Sequence, residues 1–211
     1  MKKVLLLGDS VGIGYRKYVK FAFENAAEIY FPNDNCRFSA FIVRFLDIWK
    51  GMLSLSDVDM VYFNAGLWDV AIMEDGKPTI SKEEYRKNIS RLCDIIKILF
   101  PSAKIVFATT TPVSEEGVGE FRRFNKDIEE YNAIAVEEVK NKGGEIDDLY
   151  STVKEFPKEY YSDSTYLYTK KATEILTKQV VATIEKTLDI KSTRSDIGEK
   201  YEQNIEILGL Q

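Results

Sequence analysis

The feature that most constrains the chain is its first ten residues, Met1-Lys-Lys-Val-Leu-Leu-Leu-Gly-Asp-Ser10. Val4 to Leu7 is an unbroken apolar run. Such a run suits a strand buried on both faces, as in a parallel sheet, better than a strand with one wet face. Gly8 permits a sharp turn because it has no Cβ. Asp9 and Ser10 follow, where a helix should begin. The pattern predicts strand, turn and helix start, with a carboxyl and a hydroxyl at the carboxyl edge of a sheet. That edge is where open α/β folds hold their ligands. Taken alone, the pair has a plainer use, since Asp and Ser are both preferred helix caps.

The alternation continues along the chain. Tyr15, Tyr18, Val19 and Ala22 share one face of a helix expected over 13–25. Ala27 to Phe31 reads as a second strand closed by Pro32, and 33–39 as a polar loop. Ile42, Phe45, Leu46, Trp49 and Leu53 recur at helical spacing, and Val58 to Phe63 is a third strand. The segment after Asp69, with Asp75-Gly76 and Pro78, is long enough for a lid or a specificity element. Ser81 and Glu84 form a capping-box pair before a helix that Pro101 stops. Lys104 to Thr109 is a fourth strand. Phe121, Phe124, Ile128, Tyr131, Ala135 and Val139 mark the next helix, which Gly143-Gly144 ends. Ile146 to Tyr150 reads as a short fifth strand, 151–168 as irregular and aromatic, and Thr169 to Leu188 as a last long helix.

Five strands alternating with five helices predict an α/β, three-layer sandwich. Right-handed crossovers restrict the choice to few topologies. The expected form is a flavodoxin-like five-stranded parallel sheet of order 2-1-3-4-5 with helices on both faces. Residues 1–188 make one domain. The tail 189–211 is a C-terminal extension packing on it, with Ile205 to Leu208 a candidate added edge strand.

Composition removes several functions. The net charge is −5 and no basic run stands out, which argues against nucleic acid as a partner. No apolar run is long enough for a membrane span, and no signal peptide is expected ahead of a strand that begins at once. Cys36 and Cys93 lie far apart, so a reduced, cytoplasmic setting is the simplest account. The chain has no histidine, which excludes an imidazole base and a histidine metal site. No metal and no cofactor are expected. A nucleotide-binding flavodoxin-like protein would share the fold. However, Gly8-Asp-Ser-Val-Gly12-Ile-Gly14 lacks the dinucleotide spacing, and no Gly-Lys-Ser/Thr loop occurs. The oligomeric state is left open.

The predicted ligand edge collects Ser10, Asn35–Arg37, Asn64–Asp69, Thr110–Pro112 and the 151–168 loop. Gly8-Asp9-Ser10 after the first strand, a polar loop after the second and a glycine turn after the third resemble the SGNH (GDSL) hydrolases. Tyr161-Ser-Asp-Ser-Thr-Tyr-Leu-Tyr-Thr-Lys-Lys-Ala172 before the last helix adds to that resemblance, which spans roughly residues 3–187. The blocks Asn35-Cys-Arg-Phe-Ser39 and Asn64-Ala-Gly-Leu-Trp-Asp69 look like those of a bacterial branch of the family.

The resemblance implies ester hydrolysis by acyl transfer, with a small-molecule ester or an acylated carbohydrate as substrate. It implies Ser10 as nucleophile, activated by a base, and an oxyanion hole of fixed donors. Those donors would be the Ser10 N–H, a backbone N–H at Cys36 where the family usually has glycine, and an asparagine side chain. Trp68 stands where the family's asparagine would fall, so Asn64 is the candidate replacement. Asp163 matches the late Asp-x-x-His block, but its histidine position is Tyr166. A phenol with a pKa near 10 is a weak base at neutral pH. The chain thus reads either as a hydrolase with a non-standard base, Asp163 or Tyr166, or as a pseudoenzyme that binds an acylated ligand. Asp9, Arg37, Trp68 and Asp69 are candidate substrate-binding residues.

Each residue also has a structural use. Asp163 could cap a turn, and Asn64 could close one. Trp68 and Tyr166 could be packing residues. Cys36 could be a small buried residue. Arg37 could be solvated or paired with a loop carboxylate, or could hold an anion by its fork of donors. The tyrosines Tyr160, Tyr161, Tyr166 and Tyr168 could cover the core or stack on a sugar ring.

Overall fold

The computed structural model describes residues 1–114, 122–162 and 168–194. Five strands alternate with helices: β1 (Lys2–Leu7), α1 (Ser10–Ala22), β2 (Ala27–Tyr30), α2 (Ser39–Met52), β3 (Met60–Phe63), α3 (Lys82–Leu99), β4 (Lys104–Ala108), α4 (Asn125–Asn141), β5 (Glu145–Asp147), α5 (Leu149–Lys154) and α6 (Lys170–Leu188). The sheet is fully parallel in the order β2-β1-β3-β4-β5, as the alternation predicted. β1 is central, with Val4 opposite Met60 and Leu7 opposite Phe63. Val4 to Leu7 are all buried, as are Met60 to Phe63. Both faces of these strands are therefore covered, which is why their sequences show no alternation.

The helices form two layers. α1 packs with α6 on one face, and α2, α3 and α4 pack in succession on the other. Strand order reverses between β1 and β3, so their carboxyl ends flank the crevice where such sheets bind ligands. The capping box at Ser81 and Glu84 is present, with Ser81 Oγ accepting from the Glu84 N–H at 3.3 Å.

Several boundaries differ from expectation. α1 starts three residues earlier, at Ser10, because the Asp9 side chain caps it. α4 starts at Asn125, and Phe124 at its N-cap is 43% exposed rather than inward. Tyr150 is not in β5. The strand ends at Asp147, where Asp148 caps a sixth, unexpected helix by accepting the Ser151 N–H. The expected irregular stretch thus contains α5 and a 3₁₀ turn at Lys158–Tyr160. Gly8 is not in the left-handed region. Its glycine is favoured by close contact instead, since a Cβ there would lie a tight 3.2 Å from Gly12 Cα in α1.

Beyond α6 the chain crosses back to α1. The Thr193 N–H donates to the Ala22 carbonyl at 2.9 Å, and the Arg194 guanidinium lies over the Phe21 ring. The remainder of the extension, including Ile205 to Leu208, lies outside the described residues, as does Phe121. Among the described residues no helix is long and apolar enough to cross a membrane.

Candidate active site

The site is built on the carboxyl ends of β1, β3 and β4. At the end of β1 the Asp9–Ser10 pair divides two roles that the sequence left joined. Asp9 Oδ1 accepts the Val11 N–H at 3.0 Å. Asp9 is therefore the cap, satisfying one of the orphan donors of the first turn. Ser10 caps nothing. Its Oγ is buried and has no hydrogen-bond partner among the described residues. Its N–H is the first of the helix and is left over by the Asp9 cap. A buried, unpaired hydroxyl costs about 1–3 kcal/mol. A chain selected for stability alone would place alanine there.

Asp9 is almost fully buried, and burial pushes its pKa up to about 6 against the opposing pull of the first-turn N–H groups and Arg123. Among the described residues its Oδ2 and the Thr111 Oγ have no hydrogen-bond partner. Both residues line a narrow, partly open cavity of about 10 Å³ with Asn64, Leu67, Thr110 and Tyr15, on the scale of a single water.

At the end of β3, Asn64 Nδ2 donates to the Ala108 carbonyl at 3.0 Å and to Thr110 Oγ1 at 3.4 Å. Thr110 Oγ1 donates on to the Ala65 carbonyl at 3.1 Å. The Asn64 amide thus ties β3 to β4, and both its hydrogens are engaged away from Ser10. The Cys36 N–H is engaged as well. It donates to the Gly8 carbonyl at 3.1 Å, tying the loop after β2 to the turn after β1. Two of the three oxyanion donors expected from the sequence therefore already have backbone or hydroxyl partners.

The expected substrate-binding residues separate. Asp69 is fully buried and accepts from the Ser39 N–H at 3.0 Å and the Ser39 hydroxyl at 2.5 Å. It anchors the start of α2 to the β3 turn instead of facing a ligand. Burial raises its pKa to about 7, while the Ser39 donors pull it down. Arg37 has a left-handed backbone, with φ 49°, in an Asx turn whose N–H Asn35 Oδ1 accepts at 2.8 Å. Its guanidinium lies 3.7 Å from Asp34 and stacks on Phe41, so the pairing reading describes it. Trp68 is half-buried on the turn between Leu67 and Asp69. Cys36 is fully buried, and burial raises its thiol pKa to about 12, which fits a packing residue. Tyr160, Tyr161 and Tyr168 pack with each other and Phe156. Asp163 and Tyr166 lie outside the described residues.

Two residues at this edge escaped the sequence reading. Asn132 on α4 holds the Thr110 backbone from both sides, its Oδ1 accepting the N–H and its Nδ2 donating to the carbonyl, each at 2.8 Å. Arg123 donates from Nε to the Leu67 carbonyl at 2.5 Å. A charged Arg122-Arg123 doublet between two phenylalanines was the available signal, and reading the phenylalanines as a helix face hid it. Among the described residues no three acidic or cysteine side chains converge as a metal site.

The chain has the fold of the GDSL-like lipases and acylhydrolases. A lipase/acylhydrolase from Enterococcus faecalis superposes with a TM-score of 0.71 at 18% identity, covering 92% of this chain and all of the other. A GDSL-like lipase from Bacteroides thetaiotaomicron gives 0.68 at 18% identity over 88% of both chains. The acetylxylan esterase Axe2 from Geobacillus stearothermophilus gives 0.66 at 15% identity, over 87% of this chain and 94% of its own. No protein-family model matches the sequence, and no curated protein matches it.

Proposed function

We propose that the chain is a serine ester hydrolase of the SGNH kind, acting on a small acyl ester, with an acetylated carbohydrate as the leading substrate class. The observation that carries the reading is Ser10: a buried, unpaired hydroxyl at the first turn of the helix after the central strand. The fold shared with lipases and an acetylxylan esterase supports it. Ser10 Oγ attacks the acyl carbon, and its proton passes to a base. The tetrahedral adduct expels the alcohol, which recovers the proton, and water then hydrolyses the acyl-enzyme. With no imidazole in the chain, Asp163, directly or through a water, or the Tyr166 phenol takes the proton. Loss of a triad base still leaves roughly 10³–10⁴-fold catalysis from binding and oxyanion stabilisation.

The test is hydrolysis of a panel of acetyl esters by wild type, Ser10→Ala and Tyr166→His. Turnover lost in Ser10→Ala supports the reading, and equal rates in both proteins end it. A gain of at least about a hundredfold in Tyr166→His, within the range general-base catalysis contributes, supports the alignment that puts Tyr166 at the histidine position. No gain counts against it. A second reading, a pseudoenzyme that binds an acylated ligand, is favoured by the engaged Cys36 N–H and Asn64 amide. It predicts ligand binding with no Ser10-dependent turnover.

A further inference from the structure

The segment that leaves β4 is gripped by α4 twice, in the same way. Asn132 accepts the Thr110 N–H at Oδ1 and donates from Nδ2 to the Thr110 carbonyl, each at 2.8 Å. Asn125 treats Val113 alike, at 2.8 and 2.9 Å. The two asparagines stand seven residues apart on α4, about 10 Å along a helix axis. Three residues of extended chain also span about 10 Å, so clamps at this spacing match Thr110 and Val113. Pro112 between them favours an extended Thr111. Thr111 is therefore held from both sides, and it is buried.

Three threonines line the narrow cavity beside Asp9. The Thr109 hydroxyl donates to Asp148 at 3.0 Å and the Thr110 hydroxyl to the Ala65 carbonyl at 3.1 Å. The Thr111 hydroxyl is enclosed and has no hydrogen-bond partner among the described residues, and neither has Asp9 Oδ2 on the same cavity. The two atoms are complementary, since an ionised carboxylate only accepts and a hydroxyl can donate. Neither reaches the other directly, and the cavity that both line, about 10 Å³, is the size of one water. A bridging water is enthalpically nearly as good as a direct hydrogen bond.

We propose that Thr111 is a positioning residue of the Ser10 site, its hydroxyl holding the Asp9 carboxylate through one water in that cavity. The inference rests on the esterase reading above. Asp9 meets α1 at two points: Oδ1 accepts the Val11 N–H at 3.0 Å, and its carbonyl accepts the Ile13 N–H at 2.9 Å. Ser10 lies directly between Asp9 and Val11. Holding Oδ2 as well stops the carboxylate from rotating, and so fixes the turn that presents the Ser10 hydroxyl. The support runs from α4, through the clamped segment after β4, to the start of α1. In this role Thr111 touches no reacting atom and moves no proton.

The experiment follows the carboxylate and the turnover separately, in wild type, Thr111→Val and Thr111→Ser. Asp9 is titrated by ¹³C NMR of labelled aspartate, its signal assigned by its loss in Asp9→Asn. The charged and titratable groups around it are Tyr15 on α1, Cys36 after β2, Asp69 after β3, Tyr85 on α3 and Arg123 before α4, and all are kept in the three proteins. A hydrogen bond to the ionised form holds a carboxyl pKa down. Thr111→Val should therefore move the Asp9 midpoint upward, by about one pH unit. Hydrolysis of p-nitrophenyl acetate should lose about 10- to 100-fold in kcat, the scale for a slightly misplaced group, with KM little changed. Thr111→Ser keeps the hydroxyl and should recover most of both effects, whereas a side chain that only packs would be better replaced by valine. If valine fails to fold by circular dichroism, Thr111→Ala carries the same test. An Asp9 midpoint that stays in place in Thr111→Val overturns the inference, whatever the rates do. A midpoint that moves with Ser10-dependent kcat unchanged overturns the positioning role. No Ser10-dependent turnover in wild type overturns the esterase reading and the positioning role with it, and the midpoint then still decides whether Thr111 holds Asp9.

Discussion

The turn after β3 makes a quantitative prediction. Gly66 has φ +150°, and a Cβ built there would lie 2.2 Å from Thr110 Oγ1 and 3.2 Å from Thr110 Cβ. Thr110 cannot yield by moving its backbone, because Asn132 grips both its N–H and its carbonyl at 2.8 Å. Only side-chain rotation can relieve the overlap. That rotation removes the Thr110 hydroxyl from the Ala65 carbonyl, 3.1 Å away, and from the Asn64 amide. Backbone strain of about 1–3 kcal/mol plus about 1 kcal/mol for the buried hydrogen bond gives a destabilisation of about 2–4 kcal/mol for Gly66→Ala.

Thr110→Ala alone should cost only about 1 kcal/mol, since the Ala65 carbonyl keeps the Tyr85 hydroxyl at 2.7 Å. In the double variant the hydroxyl that meets the new methyl is gone, so the hydrogen bond is counted once and part of the overlap disappears. Urea denaturation of all four proteins closes the cycle, with an expected coupling of about 1 kcal/mol in the direction of the double variant being less destabilised than the sum. Additivity within about 0.5 kcal/mol, the range for independent sites, would refute the claim that Thr110 is why this position is glycine.

Burial holds Asp69 at about 7 and Asp9 at about 6, both above the ordinary 3.8. The folded chain therefore keeps protons that the unfolded chain releases, so stability falls as pH rises through that window. Thermal midpoints should be higher near pH 5 than near pH 8, with the slope reduced in Asp69→Asn; a flat wild-type profile would contradict the assignment. Arg16→Lys should cost about 1–2 kcal/mol of unfolding free energy in denaturant melts, because the shorter, non-planar ammonium loses the stack on Phe31 and shifts the donor that serves the Pro32 and Asp34 carbonyls. Tyr62→Phe should cost about 1.5–3 kcal/mol, the range for a hydrogen bond to a charged group. It leaves Asp147 Oδ2 without its 2.9 Å donor while Gln179 still serves Oδ1; a change near zero would mean that the tyrosine only packs.

The sheet was legible because its signal is dense. Val4–Leu7, Met60–Phe63 and Ile105–Ala108 are apolar at every position, and burial on two faces leaves no other fold class for strands alternating with amphipathic helices. The errors lie where one side chain overrides a local pattern. Asp148 caps α5 and ends β5 at Asp147, although Leu149 and Tyr150 are good strand residues. Asp69 was a candidate substrate-binding residue by its place in the Asn64–Asp69 block, and its carboxylate reaches Ser39, thirty residues away in sequence. No spacing rule contains a contact that only the packed helices α2 and α3 create.

The donors explain why the candidate site is harder to read than the fold. Cys36 and Asn64 were placed by position in a family pattern, and a backbone N–H or side-chain amide at the right position can still point elsewhere. Here the Cys36 N–H ties the loop after β2 to the Gly8 carbonyl and the Asn64 amide bridges β3 to β4, both satisfying carbonyls that would otherwise need a partner. Turning either group toward a substrate would leave the Gly8 or the Ala108 carbonyl in need of a new partner, at about 1–3 kcal/mol each. The Ser10 hydroxyl is in the opposite state, already carrying that penalty with no structural return.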